Sequence, residues 1–127
     1  MTSVRQQEMT TMATEPRVIH FEITGKDAKA LQTFWSSVFG WKLNTDFPGG
    51  YGMTDPAKTG IVVGVGAAPE GSGGLVTGYV RVASIDATLA RAVELGGSVI
   101  MPRFSPDGSA YLGLVADSEG HVVGLSE

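Results

Sequence analysis

The sequence predicts an α+β fold made of two β-α-β-β-β modules, because one half of the chain is repeated in the other. The first strands of the two halves match at an offset of 59 residues, which pairs His20 with Tyr79 and Glu22 with Arg81. A second match joins residues 60–65 to residues 120–125. The glycine-rich residues 67–74 lie between the halves, where a linker between modules is expected.

The first module, about residues 17–66, begins with an alternating strand at residues 17–24. A helix is predicted at residues 27–39, where apolar residues recur at helical spacing. Asp27 or Thr24 would cap the start of this helix, and Gly40 would end it. Three further strands are predicted, at residues 41–46, 49–54 and 59–66.

The second module, about residues 75–127, follows the same order. Its first strand is predicted at residues 75–83, followed by a helix that Ser84 or Asp86 caps and that stops at Gly96 and Gly97. The remaining strands are predicted at residues 98–103, 109–116 and 120–126, with turn-forming residues between them. We expect both modules to form one domain, residues 17–127.

Composition excludes several classes of protein. The chain has 127 residues, a net charge of −4 and nine scattered Lys and Arg residues, which does not favour nucleic-acid binding. Residues 61–68 form the longest apolar run, too short to cross a membrane. The lack of cysteine excludes disulfides and thiolate metal sites. Residues 1–16 are polar without the apolar core of a signal peptide, so we expect a disordered tail and a cytoplasmic protein.

Strand alternation separates the polar from the apolar residues of the first strand. His20 and Glu22 lie on one face, and Phe21 and Ile23 lie on the other, which should meet the helix. The repeat places Tyr79 and Arg81 at the equivalent positions of the second module. Four polar side chains are therefore expected to converge on one interior.

The converging residues allow two interpretations. Glu22 and Arg81 could form a partly buried ion pair that joins the modules, since guanidinium and carboxylate groups match well. They could instead orient a substrate, with Glu22 acting as a base. His20 is a neutral, hydrogen-bonded structural residue, a general acid/base or a remnant metal ligand. We expect His121 to be a surface residue in a turn.

Four segments resemble motifs of one known family: residues 20–23 (His-Phe-Glu-Ile), 34–41, 95–97 and 117–125. In this order they resemble a glyoxalase-like domain of the vicinal oxygen chelate superfamily, which also holds bleomycin-resistance proteins and extradiol dioxygenases. The resemblance implies that the two modules form a curved mixed sheet around a central cavity. It also implies that such domains often form dimers, and exposed edges between the modules agree with a homodimer.

Metal-using members of that family place ligands at four positions, which the resemblance assigns to His20, Gly64, Tyr79 and Gly124. Only His20 is a usual ligand type, because glycine has no side-chain donor and a tyrosine phenol keeps its proton near neutral pH. A catalytic zinc site normally takes three protein ligands. We therefore expect no metal and no other cofactor.

Aromatic and basic residues are candidates for lining the cavity. Trp41, Phe47 and Tyr51 surround the turn at residues 48–50, where the mouth of the cavity is expected. They could bind a flat or apolar ligand, or merely cover the end of the barrel. Arg103 and Tyr111 could line the other mouth by the same argument.

These observations predict a protein that binds a small molecule between its modules without a metal, as drug-sequestering members of the family do. The alternative is a metal-free lyase, isomerase or cyclase, in which His20 or Glu22 moves a proton and Tyr79 or Arg81 stabilises an oxyanion. A metal-dependent glyoxalase or dioxygenase fits the residues less well. The expected partners are a small-molecule ligand or substrate and a second copy of the chain, not nucleic acid or membrane.

Overall fold

The computed structural model describes residues 15–127. Their internal contacts divide them into two compact units, the N-terminal unit (residues 18–79) and the C-terminal unit (residues 80–127 with Arg17). The predicted tail, residues 1–16, falls almost entirely outside the described residues. Within the described range, no helix has the length and apolar character needed to span a membrane.

The N-terminal unit is a mixed sheet with one long helix. Its elements, in chain order, are β1 (Arg17–Gly25), α1 (Ala28–Phe39), a 3-10 turn (Pro48–Gly50), β2 (Gly52–Met53), α2 (Pro56–Thr59), β3 (Val62–Ala67) and the start of β4 (Leu75–Arg81). The strand order is β2-β3-β1-β4. β1 runs parallel to β3, with Glu22 opposite Gly64, and β2 runs antiparallel to β3. This mixture of helices and paired strands confirms the α+β class.

Helix α1 begins and ends where the sequence predicts. The Asp27 side chain accepts a hydrogen bond from the backbone N–H of Ala30 at 3.0 Å, which satisfies one of the N–H groups that a helix start leaves without a partner. Gly40 follows the last turn in the left-handed conformation, with φ of 72°. Of the two predicted caps, Asp27 is therefore the one used.

The core of the N-terminal unit lies between the apolar face of β1, strand β3 and α1. Ile23, Val63 and Val65 are its buried centre, and the partly buried residues around them are Phe21, Leu31, Trp35, Trp41 and Leu43. The predicted apolar face of β1 is thus confirmed. Helix α1 buries less apolar surface than its sequence indicates, since Phe34 and Phe39 are 56% and 57% exposed. The contact with the sheet is narrower than the apolar stripe of α1.

Residues 41–54 differ from the prediction of two regular strands. Only an isolated bridge between Asn44 and Met53 and the two-residue β2 are present. The left-handed φ angles of Gly49 (71°) and Gly50 (73°) turn the chain out of an extended path. The short α2 was also not predicted, although Asp55 caps it by accepting from the backbone N–H of Ala57.

The C-terminal unit packs one helix on an antiparallel sheet. After the end of β4 its elements are α3 (Ile85–Glu94), β5 (Ser98–Phe104), β6 (Leu112–Ala116) and β7 (Val122–Ser126), and β6 lies between β5 and β7. Ser84 caps α3 by accepting from the N–H of Ala87 at 3.1 Å. Ile85, Leu89 and Leu125 form the buried core.

Strand β6 begins three residues later than predicted, at residue 112. The Asp107 carboxylate accepts hydrogen bonds from the backbone N–H groups of Ser109 and Ala110, at 2.9 and 3.0 Å. Because these groups are used in the turn, they are not available to a strand ladder. The strand therefore begins only beyond these residues.

Candidate functional site

A group of four polar side chains forms on β1 of the N-terminal unit and its neighbours. We call it the His20 cluster: His20, Glu22, Tyr51 and Tyr79. His20 and Glu22 share one face of β1, opposite the core residues Phe21 and Ile23, as strand alternation predicts. His20, Glu22 and Tyr51 are partly buried, whereas Tyr79 is 9% exposed.

The hydroxyl of Tyr51 lies between the two β1 residues. It is 2.8 Å from Nε2 of His20 and donates to Oε1 of Glu22 at 3.1 Å. The Tyr79 ring meets the imidazole edge-on, with the ring centres 5.7 Å apart, and its hydroxyl also bonds to the Glu22 carboxylate. The Tyr51 phenol thus joins His20 to Glu22, and Tyr79 contacts the same two residues.

Tyr51 reaches the cluster because two glycines make room for its ring. Residues 64 and 66 are on β3, and a Cβ on Gly66 would lie 2.5 Å from Cδ1 of Tyr51. A Cβ on Gly64 would overlap the Tyr51 hydroxyl and lie 2.5 Å from Nε2 of His20. Since Cβ atoms essentially never approach other atoms so closely, the phenol can only lie here over glycine.

The loop that carries Tyr51 is held to β3 by Gln32 of α1. Its side-chain amide donates to the carbonyl of Gly50 at 2.9 Å and to the carbonyl of Val65 at 2.8 Å. Both hydrogens of the amide are used by these two bonds. Gln32 therefore fixes the residue before Tyr51 against the strand that Tyr51 covers, a role that no pattern in the sequence indicated.

The hydrogen-bond directions follow from the donors available. Tyr51 has one O–H, and it donates that hydrogen to Glu22, whose carboxylate can only accept. His20 must then donate its Nε2–H to the Tyr51 oxygen. The result is a directed chain from His20 through Tyr51 to Glu22, with Nδ1 of the neutral imidazole carrying the lone pair.

Burial sets the protonation of the cluster. It lowers the pKa of His20, and the charge of Glu22 opposes this shift only in part. Burial raises the pKa values of Tyr51 and Tyr79, and the charge of Glu22 and the hydrogen bonds to it raise them further. At neutral pH both phenols therefore remain donors, and the imidazole is uncharged.

The donor set does not fit the metal site that the family resemblance implies. His20 and Glu22 are its only side chains of usual ligand type, and the two phenols are held in their protonated form. Gly64 offers no donor, and the Tyr51 hydroxyl occupies the space of its side chain. Across residues 15–127, no group of three or more His, Asp or Glu residues could hold a metal ion.

The other residues predicted near the first mouth have different surroundings. Trp41 packs against the core of the N-terminal unit, and its ring centre lies 4.7 Å from that of Phe39. Phe47 is partly buried just before the 3-10 turn. Arg81 is exposed and belongs to the C-terminal unit, so its pairing with Glu22 and its role at the site stay predictions.

Arg103 and Tyr111 lie together because they contact each other directly. The Arg103 guanidinium lies 3.7 Å above the Tyr111 ring, and its Nε bonds to Oε1 of Glu127 at 2.6 Å. The other oxygen of Glu127 accepts from the backbone N–H of Ile85 at the start of α3. Glu127 links these residues, and no sequence pattern singled it out. Their proposed role in binding a ligand stays a prediction.

His121 lies on the surface beside a turn, as predicted. It is exposed, and its Nδ1 is 3.0 Å from the carboxylate of Asp117. An open, mainly apolar cleft of about 300 Å³ lies next to it, between α3 and β6 of the C-terminal unit. Asp117 also accepts hydrogen bonds from two backbone N–H groups of its own turn. The contact between His121 and Asp117 therefore belongs to the bonding that stabilises this turn.

Comparison with known proteins identifies the family to which this chain belongs. The profile of the glyoxalase-like domain matches residues 19–126, and the chain belongs to that family. This confirms the resemblance inferred from the motifs.

Among curated proteins, the chain is similar to "Putative glyoxylase CFP32" of Mycobacterium bovis and of Mycobacterium tuberculosis. Each is 31% identical over 106 residues, which cover 78% of this chain and 41% of the relative. The chain thus spans less than half the length of these relatives.

Solved structures share the fold at low sequence identity. A hypothetical protein of Bacillus halodurans, BH1468, has a TM-score of 0.63 at 16% identity, covering 89% of this chain and 94% of that one. A glyoxalase/bleomycin resistance protein/dioxygenase superfamily member of Vibrio splendidus has a TM-score of 0.58 at 19% identity, with coverages of 88% and 98%. Methylmalonyl-CoA epimerase of Mycobacterium tuberculosis has a TM-score of 0.61 at 13% identity, with coverages of 87% and 86%.

Proposed function

We propose that this glyoxalase-like domain binds a small organic molecule at the His20 cluster without a metal ion. The observation that carries the proposal is the position of the Tyr51 hydroxyl, which joins His20 to Glu22 and takes the space of a side chain at Gly64. A metal would need a third ligand there. The polar groups are instead satisfied by one another.

The cluster is suited to a ligand that carries a hydrogen-bonding group. His20, Glu22 and Tyr51 are only partly buried, so a small molecule can approach them. The Nδ1 lone pair of neutral His20 would accept from a hydroxyl or N–H of the ligand, and the aromatic rings of Tyr51 and Tyr79 offer apolar surface. The predicted contributions of Trp41, Phe47, Arg81, Arg103 and Tyr111 remain part of this proposal.

A thermal-shift screen with a panel of metabolites and antibiotics tests binding. The screen uses the wild type, His20→Ala and His121→Ala, the last being a control that removes the exposed histidine of the other unit. We expect a compound that raises the melting temperature of the wild type and the control but not that of His20→Ala. Hits that stabilise all three proteins equally would place binding elsewhere and contradict the proposal.

Metal analysis tests the metal-free part of the proposal. Protein purified without chelators should contain zinc, nickel, cobalt, manganese and iron at well below one equivalent per chain. One tightly held equivalent of any of them would overturn the proposal and favour the metal-dependent glyoxalase or dioxygenase alternative. Addition of these metals should also leave the melting temperature unchanged.

A second candidate function, metal-free acid–base catalysis by a lyase, isomerase or cyclase, is favoured by the directed chain of hydrogen bonds. Nδ1 of His20 would take a proton from the substrate, while Nε2–H passes its proton to Tyr51 and Tyr51 passes its own to Glu22. The reverse transfers would return a proton to the product. Arg81 or Tyr79 would stabilise the oxyanion that forms.

Turnover distinguishes the two functions. Each compound from the screen is incubated with wild type, His20→Ala and Tyr51→Phe and followed by mass spectrometry and by solvent deuterium incorporation. Binding alone predicts unchanged compound without exchange. Catalysis predicts exchange or a product in the wild type, and a loss of at least about 100-fold in His20→Ala.

A homodimer and a cytoplasmic location stay predictions. The homodimer is supported by the exposed apolar side chains of α1, since Phe34, Val38 and Phe39 are each more than half exposed. Sedimentation velocity on wild type and a Phe34→Glu variant tests it. At about 100 µM protein, we expect the wild type to be a dimer and the Phe34→Glu variant to be a monomer. A monomeric wild type at this concentration would contradict the predicted homodimer.

A further inference from the structure

We propose that Tyr51 is the residue that keeps a divalent-metal site closed in this chain, and that a carboxylate at residue 64 would open it once Tyr51 is truncated. The inference rests on the metal-free binding proposed above and goes further. It assigns the proposed lack of a metal to one aromatic side chain.

Three side-chain positions converge on one point of the sheet. Glu22 and Gly64 are direct neighbours in the parallel pairing of β1 and β3. His20 lies two residues before Glu22, on the same face. A Cβ on Gly64 would lie 2.5 Å from Nε2 of His20, so a side chain at residue 64 would face the cluster. Histidine with two carboxylates is a set of three that zinc, cobalt and nickel accept.

Tyr51 occupies the space that a third ligand, a side chain at residue 64, would need. Its hydroxyl overlaps the position of a Cβ at residue 64, and its ring lies over Gly66. Its hydrogen bonds also engage Nε2 of His20 and Oε1 of Glu22, and these two side chains are the ones of usual ligand type in the cluster.

The two glycines are explained by the tyrosine and not by the backbone. Nine glycines of the described chain have positive φ, but Gly64 and Gly66 are not among them. Their conformation would therefore accept any residue. The space that excludes a side chain is taken by Tyr51 at both positions, and at Gly64 also by Nε2 of His20. The lack of a side chain at Gly64 and Gly66 and the position of the Tyr51 ring thus depend on each other.

Equilibrium dialysis with Co²⁺ and Zn²⁺, together with the visible absorption of bound Co²⁺, tests the proposal. The proteins are the wild type, Tyr51→Ala, Gly64→Glu, the double variant Tyr51→Ala/Gly64→Glu, and the control Tyr51→Ala/Gly64→Gln, which has the same shape without the charge. We expect the double variant to bind about one equivalent, at least about tenfold more tightly than the control. The wild type and the Tyr51→Ala variant should bind well below one equivalent.

The outcomes separate this inference from the proposed function. One equivalent of metal in the wild type would overturn both. A folded double variant that binds no better than the glutamine control would overturn the inference alone, because the wild type would still be metal-free.

A denaturation cycle tests the steric argument even if the double variant fails to fold. Urea midpoints are measured for wild type, Gly64→Ala, Tyr51→Ala and Tyr51→Ala/Gly64→Ala. We expect Gly64→Ala to lower the midpoint several-fold more in the wild-type background than in the Tyr51→Ala background. Equal effects in the two backgrounds would show that Tyr51 does not close this position, and would overturn the proposal.

Discussion

The imidazole of His20 and the phenol of Tyr51 are 31 residues apart in the chain and share a hydrogen bond of 2.8 Å. The Tyr51 hydroxyl also donates a hydrogen bond to Glu22. Three side chains from two segments of the chain are therefore hydrogen-bonded in one group. Since the Tyr51 hydroxyl is hydrogen-bonded to both partners, changes to it should affect the whole cluster.

Removal of that hydroxyl should destabilise the protein. Tyr51→Phe keeps the ring over β3 but leaves His20 Nε2 and Glu22 Oε1 without this partner, at a cost of about 1–3 kcal/mol in the free energy of unfolding. Urea denaturation measures the effect, and Tyr111→Phe is the matched control in the other unit. A loss equal to that of the control would mean that the bridging hydrogen bonds contribute nothing.

The stability of the protein should fall as the pH is lowered below about 6.5, the ordinary pKa of histidine. Burial lowers the pKa of His20 in the folded protein, so the unfolded chain binds a proton before the folded one does. Folding stability therefore decreases as the pH falls from the unfolded pKa through the folded pKa, and is constant below it.

Urea midpoints between pH 5 and pH 8 measure this dependence on the wild type, His20→Gln and His121→Gln. The slope below pH 6.5 should be smaller in His20→Gln than in His121→Gln, which also lacks one histidine. If the two variants have the same slope, the pH dependence does not come from His20.

Loss of the Gln32 side chain should loosen the loop that carries Tyr51. Gln32→Ala removes two hydrogen bonds, to Gly50 and Val65, and should lower the free energy of unfolding by about 1–3 kcal/mol. The exchange of backbone amide hydrogens at residues 50–53 should also become faster. Ser37→Ala, a change at an exposed position of the same helix, serves as the control. Unchanged exchange in Gln32→Ala would contradict this role for Gln32.

The cap of α1 offers a prediction independent of the site. Asp27→Ala removes the acceptor for the Ala30 N–H and should cost about 1 kcal/mol, whereas Asp27→Ser should restore most of the loss because serine caps equally well. Thermal denaturation monitored by circular dichroism compares the three proteins. Equal stability of the alanine and serine variants would contradict the capping role.

The local signals in the sequence were sufficient for much of the fold. The caps at Asp27 and Ser84 and the helix end at Gly40 depend on residues within one or two turns. The helix end was predicted, and each cap was one of two predicted candidates. The same holds for the common face of His20 and Glu22, which depends only on alternation along one strand. The two strands predicted within residues 41–54 were wrong, because two glycines with positive φ turn the chain away from an extended conformation.

The role of Tyr51 could not be derived from local patterns. Tyr51 was predicted to lie near the mouth of a cavity, but its contacts depend on the register between β1 and β3, which joins distant segments. One signal was available: Gly64 and Gly66 alternate with Val63 and Val65 on a buried strand, where glycine indicates that another group approaches closely. The sequence alone does not say which group that is.

The parallel ladder also bears on how the protein folds. His20 lies opposite Val62, 42 residues further along the chain, and a contact over that distance forms only after a large loss of chain entropy. The helix between the two strands can form from local contacts first, and the partners of His20 are assembled afterwards. The groups proposed to bind the ligand are therefore expected to be among the last to become ordered, so a ligand present during refolding would act on the final step and not on the first.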